Sequence, residues 1–75
     1  MLNVNEFKAA RVRRGLTQEE LAKRIGITPS KMSLKENGKA LFSIRDIDAI
    51  IRELGLSGNE ILNIFFTDVV ALKDK

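Results

Sequence analysis

At 75 residues the chain is about half the usual domain length, so its apolar surface serves one core and a large catalytic scaffold is excluded. It has no cysteine and no histidine, which removes disulfides, thiolate or imidazole metal sites, and catalysis built on either residue. Hydrophobic residues at 44% and charged ones at 31% give a globular balance without a membrane-length apolar run, and the net charge of +3 hints at an anionic partner.

The predicted elements are short helices. The first runs from residue 3 or 5 to 14, with Phe7, Ala10 and Arg11 at helical spacing, and stops at Gly15. Thr17-Gln18-Glu19-Glu20 is a capping box: the Thr17 hydroxyl accepts from the backbone three residues on, and Glu20 reaches back to the Thr17 amide. It opens a second helix, Gln18 to Ile25, which buries Leu21, Ala22 and Ile25 and ends at Gly26. Thr28-Pro29 opens a third, because threonine caps well and proline in the first helical position gives up no hydrogen bond. That helix ends at Glu36 and is closed by Asn37-Gly38, and Lys39 to Phe42 form a connection.

Ser43, with Asp46 three residues later, starts a fourth helix in which Ile44, Ile47, Ile50, Ile51 and Leu54 are predicted to make one apolar stripe, ended by Gly55. Ser57 and Glu60 repeat the cap for a fifth, carrying Ile61, Leu62, Ile64 and Phe65. The stretch from Phe66 to Leu72 suits an extended arm as well as a helix end. The reading is all-α: a single five-helix domain over residues 3–66, with a tail at 67–75.

Charge is unevenly placed along this order. Residues 1–45 hold ten Lys/Arg against four Asp/Glu, and residues 46–75 hold three against six. A surface meeting a polyanion on one side has this form, although solvated helix faces also scatter charge. Between Leu16 and Gly38, two helices of about two turns are separated only by Gly26-Ile27-Thr28. So short a turn sets them at a steep angle, as in a helix-turn-helix at 17–37, with Leu21, Ala22, Ile25, Ile27 and Met32 filling the angle. A plain corner in a helical bundle needs the same residues.

Several fragments in this order carry a resemblance: Arg11-x-x-Arg14-Gly15-Leu16-Thr17-Gln18-Glu19-Glu20-Leu21-Ala22, Gly26-Ile27-Thr28, Glu36-Asn37-Gly38-Lys39, and Leu54-Gly55-Leu56-Ser57 with Glu60-Ile61. Over residues 7–62 the chain resembles the lambda-repressor-like, or Cro-type, helix-turn-helix regulators of phages and bacteria. The resemblance implies a compact five-helix DNA-binding domain that acts as a transcriptional regulator in the cytoplasm, a repressor of phage or prophage type. It implies that Gln18 clamps a phosphate and supports the third helix, with Asn37, Lys39 and the amides around Gly38 forming a matching clamp. Contacts of this kind fix register without reading sequence.

The third helix is expected in the major groove, with Thr28, Pro29, Ser30, Lys31 and Leu34 at reading positions and Ser33 and Lys35 flanking. The chain departs from the commonest pattern at Pro29, where a glutamine often pairs with adenine and proline cannot. Specificity then rests on Ser30, on Lys31 donating to guanine, and on Leu34, which either packs on a thymine methyl or is a core residue displaced by one position. A second departure is Leu34-Lys35 in place of a charged residue followed by an apolar one. Either the Lys35 stem packs beneath its ammonium, or the helix is rotated. Arg11 and Glu36 are implied to form a buried structural ion pair.

A sequence-specific regulator bound to a double-stranded operator is thus the favoured reading, and a protein-interaction module of antirepressor or antitoxin type is the alternative. No enzyme, cofactor, metal or small-molecule substrate is expected. One short reading helix covers few base pairs, so a homodimer is expected, either through Ile61, Ile64, Phe65, Phe66, Val69, Val70 and Leu72 or with those residues closing the core instead. A complete small regulator and the DNA-binding part of a longer repressor both fit.

Overall fold

Helix starts are fixed by short polar side chains that accept from the backbone three residues on. Asn3, Thr17, Thr28, Ser43 and Ser57 each do so, at donor–acceptor distances of 3.0–3.2 Å. The computed structural model describes residues 2–67, and within it the caps open α1 (Val4–Arg13), α2 (Gln18–Ile25), α3 (Pro29–Glu36), α4 (Ile44–Leu54) and α5 (Gly58–Phe65). The capping boxes of α2, α4 and α5 are complete, with Glu20, Asp46 and Glu60 each accepting from the cap residue's own amide. The domain is all-α, with no strand among the described residues. Val69, Val70 and Leu72, assigned from sequence to a dimer surface, lie outside the described residues.

The core is built where the helices converge. Phe7 and Ala10 of α1, Leu21 and Ala22 of α2, Met32 of α3, Ile50 and Leu54 of α4 and Ile64 of α5 are fully or almost fully buried, with Leu16 and Leu56 closing the gaps between helices. Phe42, from the α3–α4 connection, stacks on Phe7 at 5.3 Å between ring centroids, and Phe65 meets both rings edge-on at 6.2 Å. Such aromatic packing adds about 0.5–1.5 kcal/mol per pair beyond area burial. The connection is therefore part of the core. The Asn3 amide donates to the Ile64 carbonyl at 2.8 Å, tying the start of the described chain to α5.

Two parts of the apolar pattern fall differently from the sequence expectation. Ile44 does not join the α4 stripe and is 87% exposed. The buried line of α4 is Asp46, Ile50 and Leu54 at i, i+4, i+8, so Ile44 sits in the first turn along the half-buried Ile47–Ile51 edge, with nothing packed over it. On α5, Ile61, Ile64 and Phe65 pack into the core. They take the core-closing alternative, and Leu62 on that helix and Phe66 at its C-cap remain exposed.

Candidate nucleic-acid interface

The turn between α2 and α3 depends on Gly26, whose φ of +80° lies in the left-handed region, where a Cβ costs about 1–2 kcal/mol. That conformation lets the Ile27 amide donate to the Ala22 carbonyl at 3.0 Å and sends the chain straight to Thr28. The Thr28 side chain caps α3, and Pro29 sits in its first turn. Ala22 and Met32 are fully buried in the angle between the helices, and Ile25 and Ile27 pack at its edge.

The inner side of α3 is held by charge as much as by apolar contact. Glu36, only 1% exposed, takes the Arg11 Nε–H on Oε1 at 2.7 Å and the Gln18 side-chain amide on Oε2. Arg11 also donates to the Leu16 carbonyl at 2.7 Å. The ion pair expected between Arg11 and Glu36 is present, and Gln18 completes it. Gln18 thus braces Glu36, the last residue of α3, from the first turn of α2. Among the described residues no buried side-chain nitrogen or oxygen lacks a hydrogen bond, so this burial carries no unpaired group.

Lys35 resolves the Leu34-Lys35 departure. Its side chain is 18% exposed and its Nζ lies 2.6 Å from the Asp46 carboxylate, with the ammonium 6.0 Å from the Phe42 ring centre. The stem is packed, and the ammonium is paired rather than free in solvent. Burial pushes the Asp46 carboxyl upward, but the hydrogen bonds from Lys35 and Ser43 outweigh it and hold it below its ordinary value. Sequence reasoning saw Asp46 only as a cap. The signal it carried was a lysine standing where an apolar residue is usual.

The outer side of α3 is open. Thr28, Pro29, Ser30, Lys31 and Leu34 are all exposed, and Ser30, Lys31 and Leu34 lie within an arc of about 100° on the helix. Leu34, 50% exposed, is a surface residue and not a displaced core residue. At the end of α3 the amides of Gly38 and Lys39 already donate to the carbonyls of Lys35 and Leu34, and the Asn37 side chain donates to the Ser33 carbonyl at 2.8 Å. What faces outward there is the Lys39 ammonium, presented by Gly38 with its φ of +76°.

The cations divide accordingly. Arg13, Arg24 and Arg52 pair with Glu60, Glu53 and Asp48, and Arg14 donates to the Gly55 carbonyl. Lys23, Lys31, Lys39 and Arg45 are exposed and make no ion pair among the described residues. Arg45, in the first turn of α4, was not singled out by sequence reasoning. A lone arginine after an N-cap carries no distinctive pattern.

Residues 4–63 match the helix-turn-helix domain family, over the same α2–turn–α3 unit built above. The chain belongs to the helix-turn-helix domain family. Membership places it among the DNA-binding helix-turn-helix domains. No curated protein and no solved structure matches the chain. Among the described residues of this helix-turn-helix domain, no helix is long and apolar enough to cross a membrane.

Proposed function

We propose that the chain is a sequence-specific double-stranded DNA-binding regulator of bacterial or phage type, a cytoplasmic repressor, with α3 in the major groove. The observation that carries this reading is the contrast across α3. Its inner residues are saturated with partners, while Ser30, Lys31 and Leu34 stand exposed, and Lys39 and Arg45, later in the chain, are exposed cations without an ion pair among the described residues. In the groove, Lys31 donates to guanine O6 or N7, Ser30 adds a short polar contact, and Leu34 packs on a thymine methyl. Thr28 and Pro29 stand at the base edges where α3 begins. Gln18, Asn37 and Lys39 engage phosphates on either side, with Gly38 shaping the turn that presents Lys39.

The regulator acts as a homodimer, because one eight-residue helix reaches few base pairs and a two-fold operator supplies the missing affinity. Among the described residues of the region first assigned to the dimer, Leu62 of α5 and Phe66 at its C-cap are exposed apolar side chains four positions apart, 42% and 41% exposed. Sedimentation at micromolar concentration with DNA tests this part, and a monomer there refutes it.

A second reading, a module that engages a protein instead of DNA, draws on the apolar surface of Leu41 and Ile44, 90% and 87% exposed. It adjoins a hollow lined by Leu2, Phe42, Ile47 and Phe65. Selection of bound duplexes from a random-sequence pool separates the two. The proposal predicts an enriched motif with two-fold half-sites, and absence of any enrichment favours the protein-binding reading.

A further inference from the structure

The only fully buried apolar side chain of α3 is Met32. One flexible apolar residue resists rotation of a helix about its own axis weakly, because apolar burial is non-directional. Two adjacent charged residues supply the direction instead. Glu36 points to Arg11 of α1 and Gln18 of α2, while Lys35, about 100° away around the helix, points to Asp46 at the start of α4. Asp46 is itself anchored, since the Oδ2 that accepts a hydrogen bond from Lys35 Nζ at 2.6 Å also accepts one from the Ser43 amide at 3.1 Å in the α4 capping box. Lys35 is thereby fastened to the backbone at the first turn of α4.

Side chains reach roughly 5–6 Å from a helix axis, so a rotation of about 10° carries a tip ~1 Å sideways. That displacement exceeds the spread of a good hydrogen bond, about 0.5 Å between 2.7 and 3.2 Å. We infer that Lys35 and Asp46 are positioning residues for DNA reading: their ion pair sets the rotation of α3, and so decides which edges of Ser30, Lys31 and Leu34 face the bases, without touching DNA. This rests on the proposed DNA-reading role of α3.

The test uses the full chain with the double substitution Lys35→Met and Asp46→Asn. It removes the pin without stranding a buried charge and keeps an oxygen for the Ser43 amide. The probes are the duplex that the wild type selects from a random pool and a random-sequence duplex of equal length. The expected result is a loss on the order of tenfold in the selected-to-random affinity ratio, with random-duplex affinity unchanged within about twofold. The salt slope stays the same, because no phosphate contact is lost. Lys35→Arg, which keeps an ion pair, retains most of the ratio.

In the DNA-free protein, nuclear Overhauser contacts of the Met32 methyl with its core neighbours change in the double variant and not in Lys35→Arg. An unchanged affinity ratio, a salt slope reduced by about one, or unchanged Met32 contacts each overturn the inference. If the wild type selects no duplex, the DNA-reading proposal fails by itself, and the Met32 contacts decide whether the pin sets the helix.

Discussion

The two sides of α3 are built by opposite rules. Inside, Met32 is sealed in the core, Glu36 has both carboxylate oxygens engaged, and the Lys35 ammonium is fixed on Asp46. Outside, Ser30, Lys31 and Leu34 face solvent. Polar groups on the inner side are buried and paired, and those on the outer side are left exposed. Under the proposed function, this division holds the helix from within so that its exposed face can read DNA, as rigid elements make better reading platforms than loops.

Substitutions on the two sides should therefore break different properties. Glu36→Ala strands Arg11 and Gln18 and should destabilise the fold by about 3–5 kcal/mol, measured by urea unfolding. A loss of less than about 1 kcal/mol would mean that the buried network does not hold α3. On the outer side, Lys31→Ala should leave stability within about 0.5 kcal/mol. It should reduce discrimination between selected and random duplex by about 1–3 kcal/mol, read by competition binding. Equal losses on both duplexes would remove Lys31 from base reading.

The turn that joins the two helices is next in size. Gly26→Ala meets no neighbouring atom within 4 Å, so its cost is the left-handed backbone alone, about 1–2 kcal/mol by thermal unfolding. No loss there would contradict the turn's geometry. Smaller again is Lys39→Ala, which should weaken both duplexes alike and lower the salt slope by about one. An unchanged slope would show that Lys39 meets no phosphate.

Acid sharpens the contrast from the inner side. Glu20 and Glu60 are held below their ordinary value of 4.5 chiefly by the cap amides of Thr17 and Ser57. Asp46 is held below 3.8, because Lys35 and Ser43 together outweigh its burial. A folded-state value below the unfolded one stabilises the protein above the unfolded value, and the gain disappears as pH falls through the folded one. Unfolding free energy should thus be flat near neutrality and fall below about pH 4.5. In Asp46→Asn the part of that fall at the lowest pH should shrink; an identical acid profile would deny that Asp46 is paired.

Helix boundaries were legible in the sequence because capping is local: Thr17, Thr28, Ser43 and Ser57 each find their partner three residues on. The Arg11–Glu36 pair was legible only through resemblance, since nothing in the spacing links residues 25 apart. Gln18's support of the third helix was likewise implied only by the resemblance, and the Lys35–Asp46 pair was not legible at all, because these contacts form only once three helices have packed. Ile44 was misplaced for a related reason. Periodicity shows which edge of a helix is apolar but not where the core stops along it. For the proposed reading face the candidates Thr28, Pro29, Ser30, Lys31 and Leu34 were legible from the resemblance, and all five are exposed in the fold.

The most direct test of the central claim is amide chemical-shift mapping of the isotope-labelled chain titrated with its selected duplex. The account predicts the largest changes at Ser30, Lys31 and Leu34, with smaller ones at Gln18, Asn37 and Lys39, and little change along α5. Shifts concentrated around Leu41, Ile44 and α5, with α3 unmoved, would contradict it.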